Sequence, residues 1–311
     1  MDTYSRMAEL LPIELINQLR VTTSSNSQQL TTLRNADNCW KIRLQQFLDI
    51  QITRIPTPQT WHQVYIKITT GELNLSQKLI TFARAGNLQV VQLLVDAGVN
   101  VTVTNNLALR EASKNGHLQV VQLLIDAGAD VTANTNEPLR HASANGHVQV
   151  VQLLVDTGAD VTANNNLALR KAARNGHSKV VQVLLKAGAD ITARNNAALR
   201  VASRNGHFQV VELLLDTGAN ATAEDNEPIC EASRNGHFQI VQLLIDTGAN
   251  VTARDNEPIC EASRNGHFRV VELLLETGAD PTAEDNEPLR EAFHNKHFQV
   301  VQVLREAGAT L

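Results

Sequence analysis

The chain has 311 residues, 27 Lys and Arg against 32 Asp and Glu, a net charge of −5, a sequence pI near 6.1 and only 4 % aromatic residues. That balance argues against a strongly basic nucleic-acid or membrane binder. So few aromatics leave Leu, Val and Ala to do the packing, which argues against one large globular core.

The first element in chain order is an N-terminal segment, residues 1–73, which holds both Trp and both Tyr. Asp2, Arg6, Glu9 and Glu14 interrupt any apolar stretch at its start, so it does not read as a signal peptide. No apolar run in the chain approaches the ~20 residues of a membrane span. The expectation is a cytoplasmic protein, with the nucleus as the second compartment. LLPIELINQL, residues 10–19, reads as an amphipathic helix, and VTTSSNSQQLTT, residues 21–32, as a loop or weak helix. NCWKIRLQQF and TWHQVYIKI follow, with Trp40, Leu44, Phe47, Trp61, Tyr65 and Ile68 at spacings suited to helix packing. Leu-Pro-x-Glu-Leu followed by Trp-Lys-x-x-Leu and Trp-x-x-x-Tyr resembles an F-box, a small helical domain that docks on the Skp adaptor of a cullin-RING ubiquitin ligase. The resemblance implies that Leu11, Pro12, Leu15 and Leu19 dock the adaptor, although the stretch from Leu19 to Trp40 is shorter than the three helices of an F-box usually need. A helical cap that shields the apolar end of a stack is the other reading, and the two are compatible.

From residue 74 to 311 one text returns every thirty residues. Asn-Gly-His stands at 115–117, 145–147, 175–177, 205–207, 235–237 and 265–267, with Ala85-Gly86-Asn87 before and Asn295-Lys296-His297 after. A period of this size is the signature of a repeat array. Each unit reads as two short antiparallel helices. The first starts after an Asn (Asn106 to Asn286), expected to be its N-cap, with Pro in the first turn at Pro138, Pro228, Pro258 and Pro288. Its apolar positions pair Leu with small Ala, as in Leu169 and Ala172, and a glycine such as Gly176 ends it. The second helix carries a broader stripe, for example Val210, Val211, Leu213, Leu214 and Leu215, and stops at Gly218. Thirty residues bury too little apolar surface to offset their ordering, so units of this kind must stack into a solenoid of about eight repeats. Arg305 and Glu306, where inner repeats have Leu275 and Glu276, suit an exposed end, and Lys296 in place of the turn glycine points to a weak last repeat. Cys39, Cys230 and Cys260 are too few for a disulfide framework. Cys230 and Cys260 recur in successive repeats, on helices about 8–10 Å apart, beyond disulfide reach. They read as reduced core thiols. Asn-x-Ser/Thr matches at Asn74, Asn100, Asn220 and Asn250 read as by-products of the repeat spelling.

GHFQVVELLLDTGANATA and GHLQVVQLLIDAGADVTA resemble the second helix and following turn of ankyrin repeats, and EPLREAS resembles their first-helix signature Thr-Pro-Leu-His-x-Ala. The resemblance spans roughly 74–311 and implies an all-α, ankyrin-type helical repeat solenoid whose first helices and turn fingers line a concave binding surface. The usual ankyrin period is 33; the three missing residues shorten the finger, which reads NTN, NNN, RNN, EDN or RDN here. This thirty-residue spelling is similar to the ankyrin arrays of giant DNA viruses and some amoebal proteins, which implies a host cytoplasm.

The seven histidines from His117 to His297 form a ladder rather than a cluster, and the expected role is a hydrogen bond to loop backbone. Positions that vary inside the frame carry more information. Near the end of the first helix runs a mostly cationic column, Arg84, Lys114, Ala144, Arg174, Arg204, Arg234, Arg264 and His294. Three residues earlier stand Glu111, His141, Lys171, Val201, Glu231, Glu261 and Glu291. Glu231–Arg234 and Glu261–Arg264 read as i,i+3 pairs on a solvated face, which leaves Lys171, Arg174, Val201 and Arg204 as the stretch where positive charge is not neutralised. A partner-protein site centred there, and including Glu231, Arg234, Glu261 and Arg264, is the expectation, flanked by the acidic fingers Glu224-Asp225 and Glu284-Asp285. No phosphate loop, convergent carboxylates or nucleophile set beside a non-ladder His is found, so neither an enzyme nor a cofactor or metal site is expected. The arginine column lacks interleaved aromatics, so nucleic acid is not the expected partner. The expected function is a protein-interaction scaffold acting as a monomer, either as substrate receptor of a cullin-RING ligase or as a plain scaffold that sequesters a host factor.

Overall fold

The structure, a computed structural model, describes residues 75–96 and 98–310. The F-box-like reading, with Leu11, Pro12, Leu15 and Leu19, lies outside the described residues, as does Cys39. Those described form sixteen helices joined by turns, with no strand among them. They fall into two units divided between Ala133 and Asn134. The first unit contains α1 (Leu75–Ala85), α2 (Leu88–Asp96), α3 (Val103–Lys114) and α4 (Leu118–Asp126). There α1 packs on α3 and α2 on α4. The second contains α5 (Ala133–Ala144, entered from the last residue of the first unit), α6 (Val148–Asp156), α7 (Ala163–Arg174), α8 (Ser178–Lys186), α9 (Ala193–Arg204) and α10 (Phe208–Asp216). It continues with α11 (Ala223–Arg234), α12 (Phe238–Asp246), α13 (Ala253–Arg264), α14 (Phe268–Glu276), α15 (Ala283–His294) and α16 (Phe298–Glu306). Both units are all-α stacks of helix pairs.

The stacking follows from side-chain size. In α9 the buried stripe is Leu199, Ala202 and Ser203, and in α10 it is Val210, Val211 and Leu214. Small residues let α7, α9, α11, α13 and α15 approach one another more closely than the Leu- and Val-faced second helices do. Leu184, Leu199 and Leu214 are fully buried, each contributing about 2 kcal/mol. No helix among the described residues is long and apolar enough to cross a membrane.

The turn between paired helices explains both its glycine and its histidine. Gly176 sits at φ +79°, and a Cβ there would lie 2.6 Å from Nδ1 of His207. The His207 ring covers that glycine while its Nε2 reaches the Arg174 carbonyl at 2.9 Å. His117 over Gly86 repeats the arrangement in the first unit, bonding the Arg84 carbonyl at 2.9 Å. The histidines therefore bind loop backbone as expected, and the backbone is that of the preceding repeat.

The fingers depart from expectation. In α3 and every later first helix, three consecutive non-glycine residues of the opening turn are left-handed, as at Asn164, Asn165 and Asn166 (φ 53°, 55° and 58°) and Glu224, Asp225 and Asn226 (φ 50°, 53° and 64°), so the regular helix begins only after them. Left-handed backbone costs an L-residue roughly 1–2 kcal/mol, so such turns need fixed partners. The last Asn supplies one, although it does not cap its own helix. Asn166 Oδ1 accepts from the backbone N–H of Asp190 at 2.7 Å, and Asn196 Oδ1 from that of Asn220 at 2.9 Å. The N-cap expectation is corrected for this reason: the left-handed turn aims the side chain at the loop of the following repeat. Asn220 Oδ1 in turn accepts from the backbone N–H and hydroxyl of Thr222, as Asp160 Oδ1 does from Thr162. The Asn-x-Thr spelling is thus the amide version of an Asp-x-Thr turn.

Candidate partner-binding face

A second fixed partner of the finger is an arginine in the first helix. Arg170 donates through Nε to the Asn165 carbonyl and through Nη2 to the Asn164 carbonyl, both at 3.1 Å. Arg290 clasps Asp285 and Glu284 in the same way, at 2.7 and 3.1 Å. In the text EPLREAS this arginine stands where the ankyrin signature Thr-Pro-Leu-His-x-Ala has His. Its role was hidden because the finger's left-handed turn, which brings the carbonyls within reach, carries no glycine to announce it. Where the frame has Cys230 instead, an arginine of the next finger takes over. Arg254 donates to the Glu224 carbonyl and forms ion pairs with Glu257, Glu227 and Asp225 at 3.2, 3.7 and 3.8 Å. Burial pushes the Cys260 thiol up to about 12 and the Cys230 thiol higher still, so both are inert as nucleophiles.

At the other end of the first helices the arginine column forms a ladder between repeats. Arg204 binds Glu231 through Nε at 2.7 Å and Nη2 at 2.6 Å. Arg234 reaches Glu261 at 2.8 Å and Arg264 reaches Glu291 at 3.1 Å. In the first unit Arg84 reaches Glu111 at 2.9 Å. The expected i,i+3 pairs exist, Arg234–Glu231 at 3.5 Å and Arg264–Glu261 at 2.6 Å, alongside these longer-range bonds. The face is not solvated as expected: Glu231 is 5 % and Glu261 7 % exposed. The Arg204 hydrogen bond holds the Glu231 carboxyl below the usual carboxylate range, and the same bond raises the Arg204 guanidinium. Arg204 therefore does not carry the free charge expected of it. It is the first rung of a complete ladder that runs through Glu231, Arg234, Glu261 and Arg264.

The rung before it is missing. The position in register with Arg174 holds Val201 instead of Glu. Lys171, in α7 beside Arg174, likewise has no carboxylate partner among the described residues, and both side chains are exposed. Burial and then the charge of Arg194 lower the Arg170 guanidinium, so these two cations feel one another at the finger end of α7. Lys171, Arg174 and Val201 thus share one stretch of the packed α7–α9 face, with Arg170 and Arg194 towards its finger end. The acidic fingers lie further along the unit. There Asp225 is exposed, and Glu224 accepts from the amide of Asn195 in the preceding finger.

Family models described as ankyrin repeats in three copies match residues 70–135, 133–195 and 192–255, and a model of ankyrin repeats in many copies matches 259–305. Among solved structures, the crystal structure of the ankyrin repeat domain of Bcl-3, described as a unique member of the IkappaB protein family, is similar. It shares 28 % identity, covers 63 % of this chain and 97 % of its own, and superposes with a TM-score of 0.51. No curated protein matches the chain.

Proposed function

The chain belongs to the ankyrin repeat family, a family of protein-interaction scaffolds, and from that premise we propose that it holds a protein partner on the first-helix face of its second unit. The observation that carries this reading is the broken ladder. Arg204, Arg234 and Arg264 each have a glutamate in the next repeat, whereas Lys171 and Arg174 have none and Val201 stands in the vacant place. A fold that neutralises this column from Arg204 to Arg264 leaves two exposed cations and an apolar side chain together at α7 and α9, which fits a partner carrying carboxylates around an apolar contact. Arg204, Glu231, Arg234, Glu261 and Arg264 form the rigid margin of the site. Their charges are already spent on one another, so they orient the face more than they attract the partner.

The finer role is that of a substrate receptor for a cullin-RING ubiquitin ligase, with residues 10–70 docking a Skp-type adaptor through Leu11, Pro12, Leu15 and Leu19 in a host cytoplasm. Its support is the Leu-Pro-x-Glu-Leu motif and the Trp elements behind it. The alternative is a scaffold that sequesters a host factor with no ligase link, favoured by the concentration of recognisable binding features in the repeats. Either way the chain acts by binding and not by catalysis. Affinity purification from the native cell separates the readings. Lys171→Glu with Arg174→Glu is expected to remove the partner and spare the adaptor, and Leu11→Ala with Pro12→Ala to do the reverse. An undiminished partner in the first variant contradicts the site, and absence of any adaptor from the wild-type sample leaves only the sequestering scaffold.

A further inference from the structure

The repeat text EASRNGH becomes EAFHNKH in the last repeat, and the three changed residues, Phe293, His294 and Lys296, meet at one place. Position 293 is a packing position in the frame. Ser203, Ser233 and Ser263 there are fully buried, and Ala173 fills the same place as well as Ser does, so the position selects for small size. Phe293 is instead 52 % exposed. Position 296 is the turn glycine of the frame, which elsewhere lies under the next repeat's histidine ring, as Gly266 lies under His297. Lys296 keeps the left-handed backbone, at φ 62°, and carries a side chain where that ring would rest. Phe298 is 70 % exposed, whereas Phe208, Phe238 and Phe268 at the same place are half-buried, Phe238 under the Arg269 guanidinium at 4.7 Å. Another repeat of the same kind cannot stack on this face without displacing Phe293 and Lys296.

Only three large hydrophobic side chains are exposed among the described residues, and Phe293 and Phe298 are two of them. They line a groove of about 730 Å³ together with Arg290, Glu291, His294 and Lys296. A face made only to end a stack in water would be polar; two exposed rings in a concave site mark a contact surface. Its rim is cationic. Lys296 is exposed, Arg290 is bonded only to the Asp285 and Glu284 carbonyls, and the one carboxylate, Glu291, is already held by Arg264 at 3.1 Å. This positive rim stands at the end of a segment, residues 225–311, with 15 acidic and 7 basic side chains, a surplus that disfavours an anionic membrane as the occupant.

We infer that the groove on the last repeat is a second protein-docking site, which takes an extended or helical peptide segment of a partner whose apolar anchor is flanked by carboxylates. The anchor packs between Phe293 and Phe298, and the carboxylates meet Lys296 and Arg290. This site is independent of the broken ladder on α7 and α9.

The test is a selection from a random dodecapeptide library on the full chain, followed by titration of the enriched synthetic peptides against variants. Phe293→Ser restores the inner-repeat spelling, and Lys296→Glu alters only an exposed side chain, so both are expected to keep the wild-type far-ultraviolet spectrum. The expected result is a set of peptides with an apolar anchor beside Asp or Glu. They bind at least about tenfold more weakly to each variant and equally well to Lys171→Glu with Arg174→Glu, which keeps the two sites distinguishable. Peptides indifferent to both groove substitutions, or enriched in Lys and Arg, overturn the inference. So does a wild-type dimer in sedimentation that Phe293→Ser dissolves, which assigns the groove to a second copy. Binding to phosphatidylserine vesicles that Phe293→Ser abolishes, without peptide binding, overturns it in favour of a lipid surface.

Discussion

From α9 to α15 each arginine near the end of a first helix is met by a glutamate of the following repeat, whereas between α7 and α9 the same register sets Arg174 against Val201. The core does not register the change: Leu184 beneath the broken rung and Leu214 beneath the complete one are equally buried. Packing and surface charge are thus separable in this frame. The ladder ties each of its repeats to the next, and its interruption leaves Arg174 without a carboxylate partner.

The largest effect that separates the two stretches is expected from Glu231→Gln. Glu231 is buried and bonded to Arg204 and Arg234, so its loss leaves two guanidinium groups facing an uncharged amide. A hydrogen-bonded charge of this kind contributes about 2 kcal/mol, readable as a lower urea midpoint. Val201→Ala, at the equivalent place on a half-buried side chain, is expected to cost roughly a quarter of that. Acid produces the same loss without mutation. Because the folded Glu231 carboxyl titrates below its ordinary value of 4.5, its contribution is complete above that pH and disappears as pH falls through the lower folded value. Asp160 and Asp190, lowered by the hydroxyls of Thr162 and Thr192, act with the same sign. His267, lowered by burial, contributes stability above 6.5 that is lost as pH falls through its folded value. Thermal scans of wild type and Glu231→Gln should converge on acidification below 4.5.

Arg170→Ala comes next. It removes the clasp on the Asn164 and Asn165 carbonyls and should cost about 1 kcal/mol. Hydrogen exchange is expected to rise in residues 162–168 and to stay unchanged around Cys230, whose finger is held by Arg254. The smallest effect is a gain. Val201→Glu completes the missing rung at a half-buried position; the cost of burying the carboxylate offsets most of its pairing with Arg174, so the net gain should be a few tenths of a kcal/mol, seen as a slight rise in the melting midpoint.

The frame was legible in the sequence because its signals are local. Leu169 and Ala172 mark a first helix, Val210 to Leu215 a second, and Gly176 the turn, each within a few residues of its consequence. What escaped crosses from one repeat to the next. Reading Glu231 with Arg234 finds the i,i+3 pair and overlooks the stronger bond to Arg204, which becomes visible only when the text is aligned to itself and a first-helix column is read against the column of the next repeat. Asn166 read as a cap for the same reason, since its acceptor serves Asp190 in another loop. The three left-handed residues of each finger escaped because Asn, Asp, Glu and Arg do not announce positive φ as glycine does. Phe293 was legible as a departure from Ser, but its exposure depends on what packs against it.

Whether the unladdered cations of α7 recognise the partner is decided by Val201→Glu, which neutralises Arg174 without removing a cation. Affinity capture from the native cell, with the bound partner quantified against the bait, is the measurement. Val201→Glu is expected to fold with at least wild-type stability and to retain roughly a tenth or less of the partner, a change of about 1.4 kcal/mol. Full retention of the partner by a folded Val201→Glu chain would contradict it.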